Sequence, residues 1–230
     1  MRVMTVLKCG GEYNEGHVAW LRKQFPDDVP FDCLTDSSMP DKHFEAVTGA
    51  NPIRLQYGAW GGRGWWAKLE LFRPDIKGDF LFVDLDTVII DVDKLAGAIV
   101  ISHHLDNESP IVLSDFYFPT TAIGSGLMYL PEACRAAIWD KWIADPAGHI
   151  SRNHGDQDFL TPWFWGANRW QNVAPFAVVS YKAHLNSDLG GRYFKPGFND
   201  LSKIAVVCFH GNPRPWHVHD AFVPFFGGAS

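Results

Sequence analysis

The sequence predicts an α/β fold in a single domain, and three observations lead to that prediction. The chain opens with strand Val3–Leu7, a helix around Gly16–Gln24 and strand Val29–Leu34, a β-α-β order that is typical of a nucleotide-binding half-sheet. Residues 80–90 are apolar enough to predict a buried strand, and another is predicted at Ile204–Phe209. The 230 residues suit one large domain or two small ones, and no repeat or linker divides them.

The other elements are predicted from apolar periodicity and turn residues. Residues 37–63 are polar and are predicted to be loops, and the segment 60–64 is not a phosphate-binding P-loop because that pattern is absent. Residues 91–109 are predicted to form a short helix and loops. The remaining predictions are helices at Trp65–Phe72, Pro131–Ala144 and Asp156–Trp163, and strands at Ile111–Leu113, Gly126–Leu130 and Val173–Val179.

Composition narrows the class of protein. The chain is 47% hydrophobic, which allows a substantial core, and its net charge of −6 argues against general affinity for nucleic acid. No signal peptide opens the sequence, and no apolar run approaches the roughly 18 residues that a membrane-spanning helix needs. A soluble cytoplasmic protein is therefore predicted, with a peripheral membrane contact left open.

Two aspartates interrupt the apolar stretch at residues 80–90. Asp84 and Asp86 are two residues apart, and in a strand such side chains leave the same face. Neighbouring buried carboxylates repel each other unless a cation or a proton relieves the repulsion. A hard divalent metal at the carboxyl end of a buried strand is the simplest account, since open α/β sheets bind ligands there. A helix-capping aspartate or an ordinary turn remains the alternative.

A polar loop follows the predicted strand Ile204–Phe209. His210 at its start is either a core histidine with satisfied hydrogen bonds or a third metal ligand, since imidazole joins carboxylates on ions such as Mn²⁺. Gly211 allows a ligand to approach the backbone closely. Arg214 offers a fork of donors that suits phosphate oxygens.

Three further positions have polar side chains or a flexible backbone suited to a sugar or a phosphate. Asp156 and Gln157 either begin a helix, where acidic residues are favoured by the dipole, or face a polar substrate such as a sugar. The segment Gly124–Gly126 is either a bulge or a place where a sugar lies against the main chain. Lys68 precedes the aspartates, and it is either a solvated surface lysine or a cation beside a diphosphate.

Taken together, these stretches resemble the retaining glycosyltransferases of the GT-A fold, the glycogenin-like or family 8 group, and are most similar to its small bacterial members. The order and separation of the matches carry the resemblance, which runs from Leu7 to Trp216. It implies a Rossmann-like single domain with a mixed central sheet and helices on both faces, with residues 1–90 as a nucleotide-binding half and residues 91–230 as a sugar and acceptor half. The matching stretches are Cys33–Asp36, Trp66–Phe72, Phe82–Val88, Ser125–Met128, Gly155–Asp158, Ser180–Lys182 and Phe209–Trp216.

The resemblance also implies a role for each matching residue. Mn²⁺ or Mg²⁺ would be bound by Asp84, Asp86 and His210, and would hold the nucleotide diphosphate. The base and ribose would lie near Leu7, Lys8, Cys9 and Asp36. The phosphates or the donor sugar would contact Lys68, Gly211 and Arg214, and the sugar would be lined by Ser125, Gly126, Asp156 and Gln157. Lys182 matches a recurrent lysine of the nucleotide-sugar site that has no specific role assigned.

The implied activity is metal-dependent transfer of a hexose, with retention, from a nucleotide sugar, most simply a UDP-sugar. The acceptor would be a glycan, a lipid-linked molecule or a protein. The resemblance implies Asp156 and Gln157 as the catalytic residues. No covalent nucleophile is required, and Asp156 is the first candidate if one exists. Two departures from the family pattern concern the donor: Gly124 stands where the family usually has asparagine, and Arg214 stands where lysine is common.

Two other functions fit parts of the pattern. In a phosphatase of the haloacid dehalogenase type, Asp84 would be the nucleophile and Asp86 the acid and base. That motif normally opens its domain, however, whereas here roughly 80 residues with their own β-α-β pattern precede it. A non-catalytic binder of nucleotide sugars is the other alternative, and glycine at position 124 is the feature that favours it.

Overall fold

The computed structural model describes residues 1–57, 64–105, 109–198 and 200–227, without the side chains of residues 103–105. Most of the predicted loop at 60–64 lies outside these residues. The strands are β1 (Val3–Leu7), β2 (Phe31–Thr35), β3 (Asn51–Arg54), β4 (Phe80–Val83), β5 (Thr87–Ile89), β6 (Ile111–Ser114), β7 (Ile123–Leu130), β8 (Asn168–Arg169), β9 (Val178–Ser180) and β10 (Val206–Cys208).

Helices connect these strands. The α-helices are α1 (Glu15–Arg22), α2 (Asp41–Thr48), α3 (Val92–Leu105), α4 (Ala136–Ala144), α5 (Pro146–Arg152), α6 (Asp156–Leu160), α7 (Trp170–Val173) and α8 (Ser187–Gly190). Segments of 3₁₀-helix cover Gly64–Phe72, Glu132–Cys134, Gly191–Tyr193, Leu201–Lys203 and Pro215–His217, and a π-helical turn covers Tyr181–Leu185. No helix in the described part of the chain is long and apolar enough to cross a membrane.

The central sheet is mixed. In the described residues it has seven strands in the order β3-β2-β1-β4-β7-β6-β8. Strands β1 to β4 are mutually parallel where they pair, β7 runs antiparallel to β4 and β6, and β8 is parallel to β6. Because side chains alternate between the faces of a strand, Val3 joins the core layer that contains Val18 of α1, while Met4 joins the layer that contains Trp66 and Trp142. The predicted mixed sheet with helices on both faces is confirmed.

The sequence predicts one continuous strand through residues 80–90, and this prediction is wrong. Strand β4 ends at Val83, and β5 begins at Thr87 in a second sheet, whose order among the described residues is β5-β10-β9. Asp84 and Asp86 lie in the turn between the two sheets, where the Thr87 amide donates to the Asp84 carbonyl over 3.2 Å. The same-face argument for a strand therefore does not apply. Inside a strand surrounded by apolar side chains, the two carboxylates would have no polar partners. At this turn they form ion pairs with Lys68 and Arg214.

Other predicted boundaries were wrong where local periodicity was weak. Residues 37–54 contain α2 and β3 rather than loops, and residues 92–105 form one helix. α2 buries only Phe44 and Thr48, so it has little apolar periodicity. Helix α4 begins at Ala136 and not at Pro131, which instead precedes a 3₁₀ turn. The chain at 170–173 is helical, and the strand near it is limited to Val178–Ser180.

Candidate functional site

A two-part cleft lies where several strands end. Residues that directly follow the carboxyl ends of β1, β4, β6 and β10 line it, which is the usual ligand position in open α/β sheets. One part, the Ser125 cavity, has a volume of about 510 Å³, and the other, the Lys8 cavity, has a volume of about 400 Å³. Both are lined by Trp65, Lys68, Asp84, Asp86, Phe209, His210 and Gly211. The acid pair therefore lies at the junction of the two cavities.

Each aspartate of the acid pair faces its own cation. Lys68 Nζ lies 2.7 Å from Asp84 Oδ2 and 4.0 Å from Asp156 Oδ2. Asp86 pairs with the guanidinium of Arg214 and also accepts a hydrogen bond of 3.2 Å from the Tyr13 hydroxyl. These pairings reduce the cost of burying two neighbouring carboxylates.

Burial determines the protonation of these groups. It raises the pKa of Asp84 to about 7, with Lys68 opposing the rise and the charges of Asp86 and Asp156 adding to it. Burial also raises the pKa of Asp86, against the opposing charge of Arg214. For Lys68, burial acts to lower the pKa, but the charges of Asp84 and Asp156 outweigh it and the pKa rises. Lys68 is therefore a permanent cation beside Asp84, a carboxyl group that can hold a proton near pH 7.

His210 lines the same two cavities as the acid pair, and it has a hydrogen-bond partner of its own. Its Nε2 shares a hydrogen bond of 2.6 Å with Ser180 Oγ, and its ring stacks on Phe116 at 5.7 Å between centroids. Burial and the charge of Lys182 lower the pKa of His210 to about 4, so the ring is neutral near pH 7. In this arrangement Nε2 is used by Ser180.

The acid pair fits a hard divalent cation, because carboxylate oxygens are the ligands that Mg²⁺ and Mn²⁺ prefer. Among the described side chains, no three His, Cys, Asp or Glu residues are arranged to hold a metal ion. Asp84 and Asp86 would supply the first ligands, and the participation of His210 stays a prediction.

Polar groups suited to a sugar line the Ser125 cavity. Ser125 Oγ donates to Asp156 Oδ2 over 2.7 Å, and Gln157 Nε2 donates to Asp115 Oδ2 over 3.0 Å. A Cβ atom at Gly126 would lie 3.2 Å from Asp84 Oδ2, so glycine keeps space beside the acid pair. The predicted group Ser125, Gly126, Asp156 and Gln157 is thus brought together in one wall.

The glycine at position 124 has a packing explanation. Gly124 lies on β7 opposite Leu113 of β6, next to an irregularity in the pairing. A Cβ atom there would lie 3.0 Å from Leu113 Cβ, closer than ordinary contact. An asparagine at this position would therefore require Leu113 to move.

The predicted base and ribose residues occupy different environments. Lys8 lines the Lys8 cavity and pairs with Asp36, which also accepts a hydrogen bond of 2.7 Å from the Cys9 amide. Cys9 and Asp36 lie beside that lining, and Leu7 is fully buried in the core. Lys182 approaches Gly211, which lines both cavities.

Several cleft residues were missed by the sequence analysis. Glu12 and Tyr13 line the Lys8 cavity, and Asp115 lines the Ser125 cavity. Glu12 accepts two hydrogen bonds from Arg214, of 2.9 and 2.7 Å. Their place in the sequence could have indicated these three residues, because Glu12 and Tyr13 follow the carboxyl end of β1 and Asp115 follows the carboxyl end of β6.

No protein-family model and no curated protein sequence matches the chain. Solved structures match it at low sequence identity. The galactosyltransferase LgtC, solved with donor and acceptor sugar analogues, is 14% identical with a TM-score of 0.64, over 97% of this chain and 91% of LgtC. The glycosyltransferase GlyE of Streptococcus pneumoniae is 15% identical with a TM-score of 0.63 over 96% of this chain, which spans only 57% of GlyE.

Mouse xyloside xylosyltransferase 1 is also similar. It is 11% identical with a TM-score of 0.54, over 92% of this chain and 97% of the mouse chain. At such identities the likeness concerns the fold alone. The mixed α/β architecture of this chain is the GT-A fold that these glycosyltransferases share.

Proposed function

We propose that the protein is a glycosyltransferase that moves a hexose from a nucleotide sugar, most simply a UDP-sugar, to a glycan, lipid-linked or protein acceptor with retention. The observation that carries the proposal is the acid pair between two cavities of different chemistry. Lys68 lines both cavities, whereas the cations Lys8 and Arg214 line only the Lys8 cavity, and the hydroxyl, carboxylate and amide groups of Ser125, Asp156 and Gln157 line only the Ser125 cavity. A nucleotide sugar has a similar division, with a diphosphate between a nucleoside and a sugar.

The acid pair would act on the leaving group. Asp84 and Asp86 would hold Mn²⁺ or Mg²⁺, with His210 as the expected third ligand, and the bound ion would supply Lewis-acid stabilisation of the departing diphosphate. Lys68 supplies a fixed positive charge 2.7 Å from Asp84. That charge is preorganised for the charge that develops on the diphosphate oxygens.

The other wall would orient the donor sugar. Asp156 is buried, is fixed by Ser125, and presents a carboxylate that can grip sugar hydroxyls or face a positively charged anomeric carbon. The Gln157 amide is oriented by donating to Asp115, which leaves its carbonyl oxygen as an acceptor. In a retaining transfer, the acceptor hydroxyl would attack from the face that the diphosphate leaves, and Asp156 is the first candidate if a covalent intermediate forms.

A thermal-shift panel tests the function, because a ligand that binds only the folded state raises its melting temperature. UDP-glucose and UDP-galactose are expected to raise it, and to do so more strongly with Mn²⁺ than without, whereas GDP-mannose is the matched control. A parallel assay follows the release of UDP. Hydrolysis of p-nitrophenyl phosphate without any response to UDP-sugars would support the phosphatase instead. Stabilisation with neither hydrolysis nor transfer would support a non-catalytic binder.

The affinity for Mn²⁺ should depend on pH. The pKa of Asp84 is about 7 in the absence of a bound cation, so a proton competes with the metal at this carboxylate. Asp84 gains that proton as the pH falls, and binding should weaken about tenfold between about pH 8 and about pH 6. Isothermal titration with Mn²⁺ at both values, repeated in buffers of different ionisation enthalpy, measures the affinity and the proton released. Equal affinities at the two pH values would contradict this assignment of the metal site.

A further inference from the structure

Arg214 is held on three sides. Its Nε and Nη2 donate to the two carboxylate oxygens of Glu12 over 2.9 and 2.7 Å, and its Nη1 donates to Asp86. The guanidinium carbon lies 5.2 Å from the ring centre of Tyr13, as in a cation–π contact. Arg214 thus joins the loop after β1 to the turn that carries Asp86.

This arrangement leaves Arg214 poorly placed to serve a phosphate. A planar guanidinium that grips a carboxylate with two donors has a fixed orientation. Turning toward a diphosphate would break the fork to Glu12 or the pairing with Asp86, the contacts that hold the loop after β1 against the turn of Asp86. The contacts therefore describe a clamp between two loops.

Lys182 reaches the same region from the second sheet. Ser180 at the end of β9 is paired in parallel with Cys208 at the end of β10, so Lys182 and His210 each follow a neighbouring strand end by two residues. The turn that carries Lys182 is anchored on both sides. Ser180 Oγ accepts a hydrogen bond of 3.0 Å from the Ala183 amide, and the Tyr181 ring stacks on Phe209 at 4.4 Å.

The ammonium group of Lys182 lies beside Gly211, a residue that lines both cavities. Its Nζ is 3.5 Å from the position that a Cβ atom of Gly211 would occupy, and Gly211 has a φ of +70°. In the described part of the chain Lys182 has no ion pair and no hydrogen-bonded side-chain partner. Burial and the charge of Arg214 lower its pKa, and the charge of Asp86 opposes them. Among the described residues, the lysine is therefore a cation without an anion of its own, beside a glycine that keeps the space open.

We infer that Lys182, rather than Arg214, binds the diphosphate of the donor, and that Arg214 is a positioning residue that fixes the turn of Asp86. The inference rests on the proposed function, because it concerns the donor of that reaction. This assignment explains the type of cation at each position. Arg214 has the rigid guanidinium that a clamp requires, and Lys182 has a flexible ammonium that can adapt to phosphate oxygens.

Titration with UDP and with uridine tests the assignment, because uridine lacks the diphosphate. Lys182→Met is expected to weaken UDP binding about tenfold, as for the loss of a charge-assisted hydrogen bond, and to leave uridine binding unchanged. Lys182→Arg keeps the charge and should retain most of the affinity for UDP. Lys203→Met removes an exposed lysine that pairs with Asp200 on the surface and is the matched control. Arg214→Lys should lower the melting temperature by several degrees, because a single ammonium cannot reproduce the fork to Glu12.

The outcomes separate this inference from the function. Wild-type protein that binds UDP, together with a Lys182→Met variant that binds it equally well, would overturn the role of Lys182 alone. Equal weakening of UDP and uridine by Lys182→Met would also overturn it, since the residue would then act on the shape of the cleft. Wild-type protein that binds neither UDP nor UDP-sugars would instead overturn the proposed function. Melting curves for each variant show whether it is folded.

Discussion

Asp86→Ala is expected to lower the metal-stimulated release of UDP from a UDP-sugar by about a thousandfold, the upper range for removing one electrostatic group from an active site. Two effects add. The variant loses one of the two carboxylates proposed to hold the cation, and it releases Arg214, which pairs with Asp86. The measurement is the initial rate of UDP release over a range of Mn²⁺ concentrations.

Two further variants make this result specific. Asp86→Asn keeps the size of the side chain and removes its charge, so it should lose the Mn²⁺ response almost as completely as Asp86→Ala. Asp93→Ala removes an exposed acid on α3 and should leave the rate unchanged. Normal turnover by Asp86→Asn, with an unaltered Mn²⁺ dependence, would refute the metal-binding role of the acid pair.

Lys68→Met is expected to destabilise the ligand-free protein by about 3 kcal/mol, because removing one partner of a buried ion pair leaves the other charge uncompensated. Lys68 lies 2.7 Å from Asp84 and 4.0 Å from Asp156, and its side chain is 14% exposed. Urea unfolding at about pH 8 measures the change in the free energy of unfolding. The loss should shrink as the pH falls, because the raised pKa of Asp84 lets a proton replace the missing cation.

An exposed ion pair on the surface provides the control for the Lys68→Met experiment. Lys77 pairs with Glu132 over 3.7 Å, and its side chain is 72% exposed, so Lys77→Met should change stability by less than about 1 kcal/mol. A Lys68→Met variant as stable as Lys77→Met at about pH 8 would show that the acid pair does not depend on Lys68 for charge balance.

Much of the fold and several contacts of the cleft could be predicted from the sequence. Strand β1 matches its predicted bounds at Val3–Leu7, because a short apolar run at a sheet centre has a strong local signal. Ser125 and Asp156 were assigned to the same sugar site through the resemblance to glycosyltransferases, and the structure joins them by a hydrogen bond. The strand is indicated by a few neighbouring residues, whereas the pairing of Ser125 with Asp156 was indicated by the order of motifs along the chain.

The rest depended on contacts that local patterns do not contain. The chain leaves the central sheet after Val83 because Val88 pairs with Val207 of a second sheet, a partner more than a hundred residues away. The clamp between Glu12 and Arg214 joins residues 202 positions apart, so neither side chain indicates it alone. Helix α2 was missed because it packs through few apolar residues.

The most direct test of the central claim is a crystal structure of the protein with UDP and Mn²⁺. The account predicts the nucleoside in the Lys8 cavity, the cation between Asp84 and Asp86, and the diphosphate within hydrogen-bonding distance of Lys182. UDP bound at a different surface, or a cleft in which these two aspartates contact neither metal nor phosphate, would contradict it.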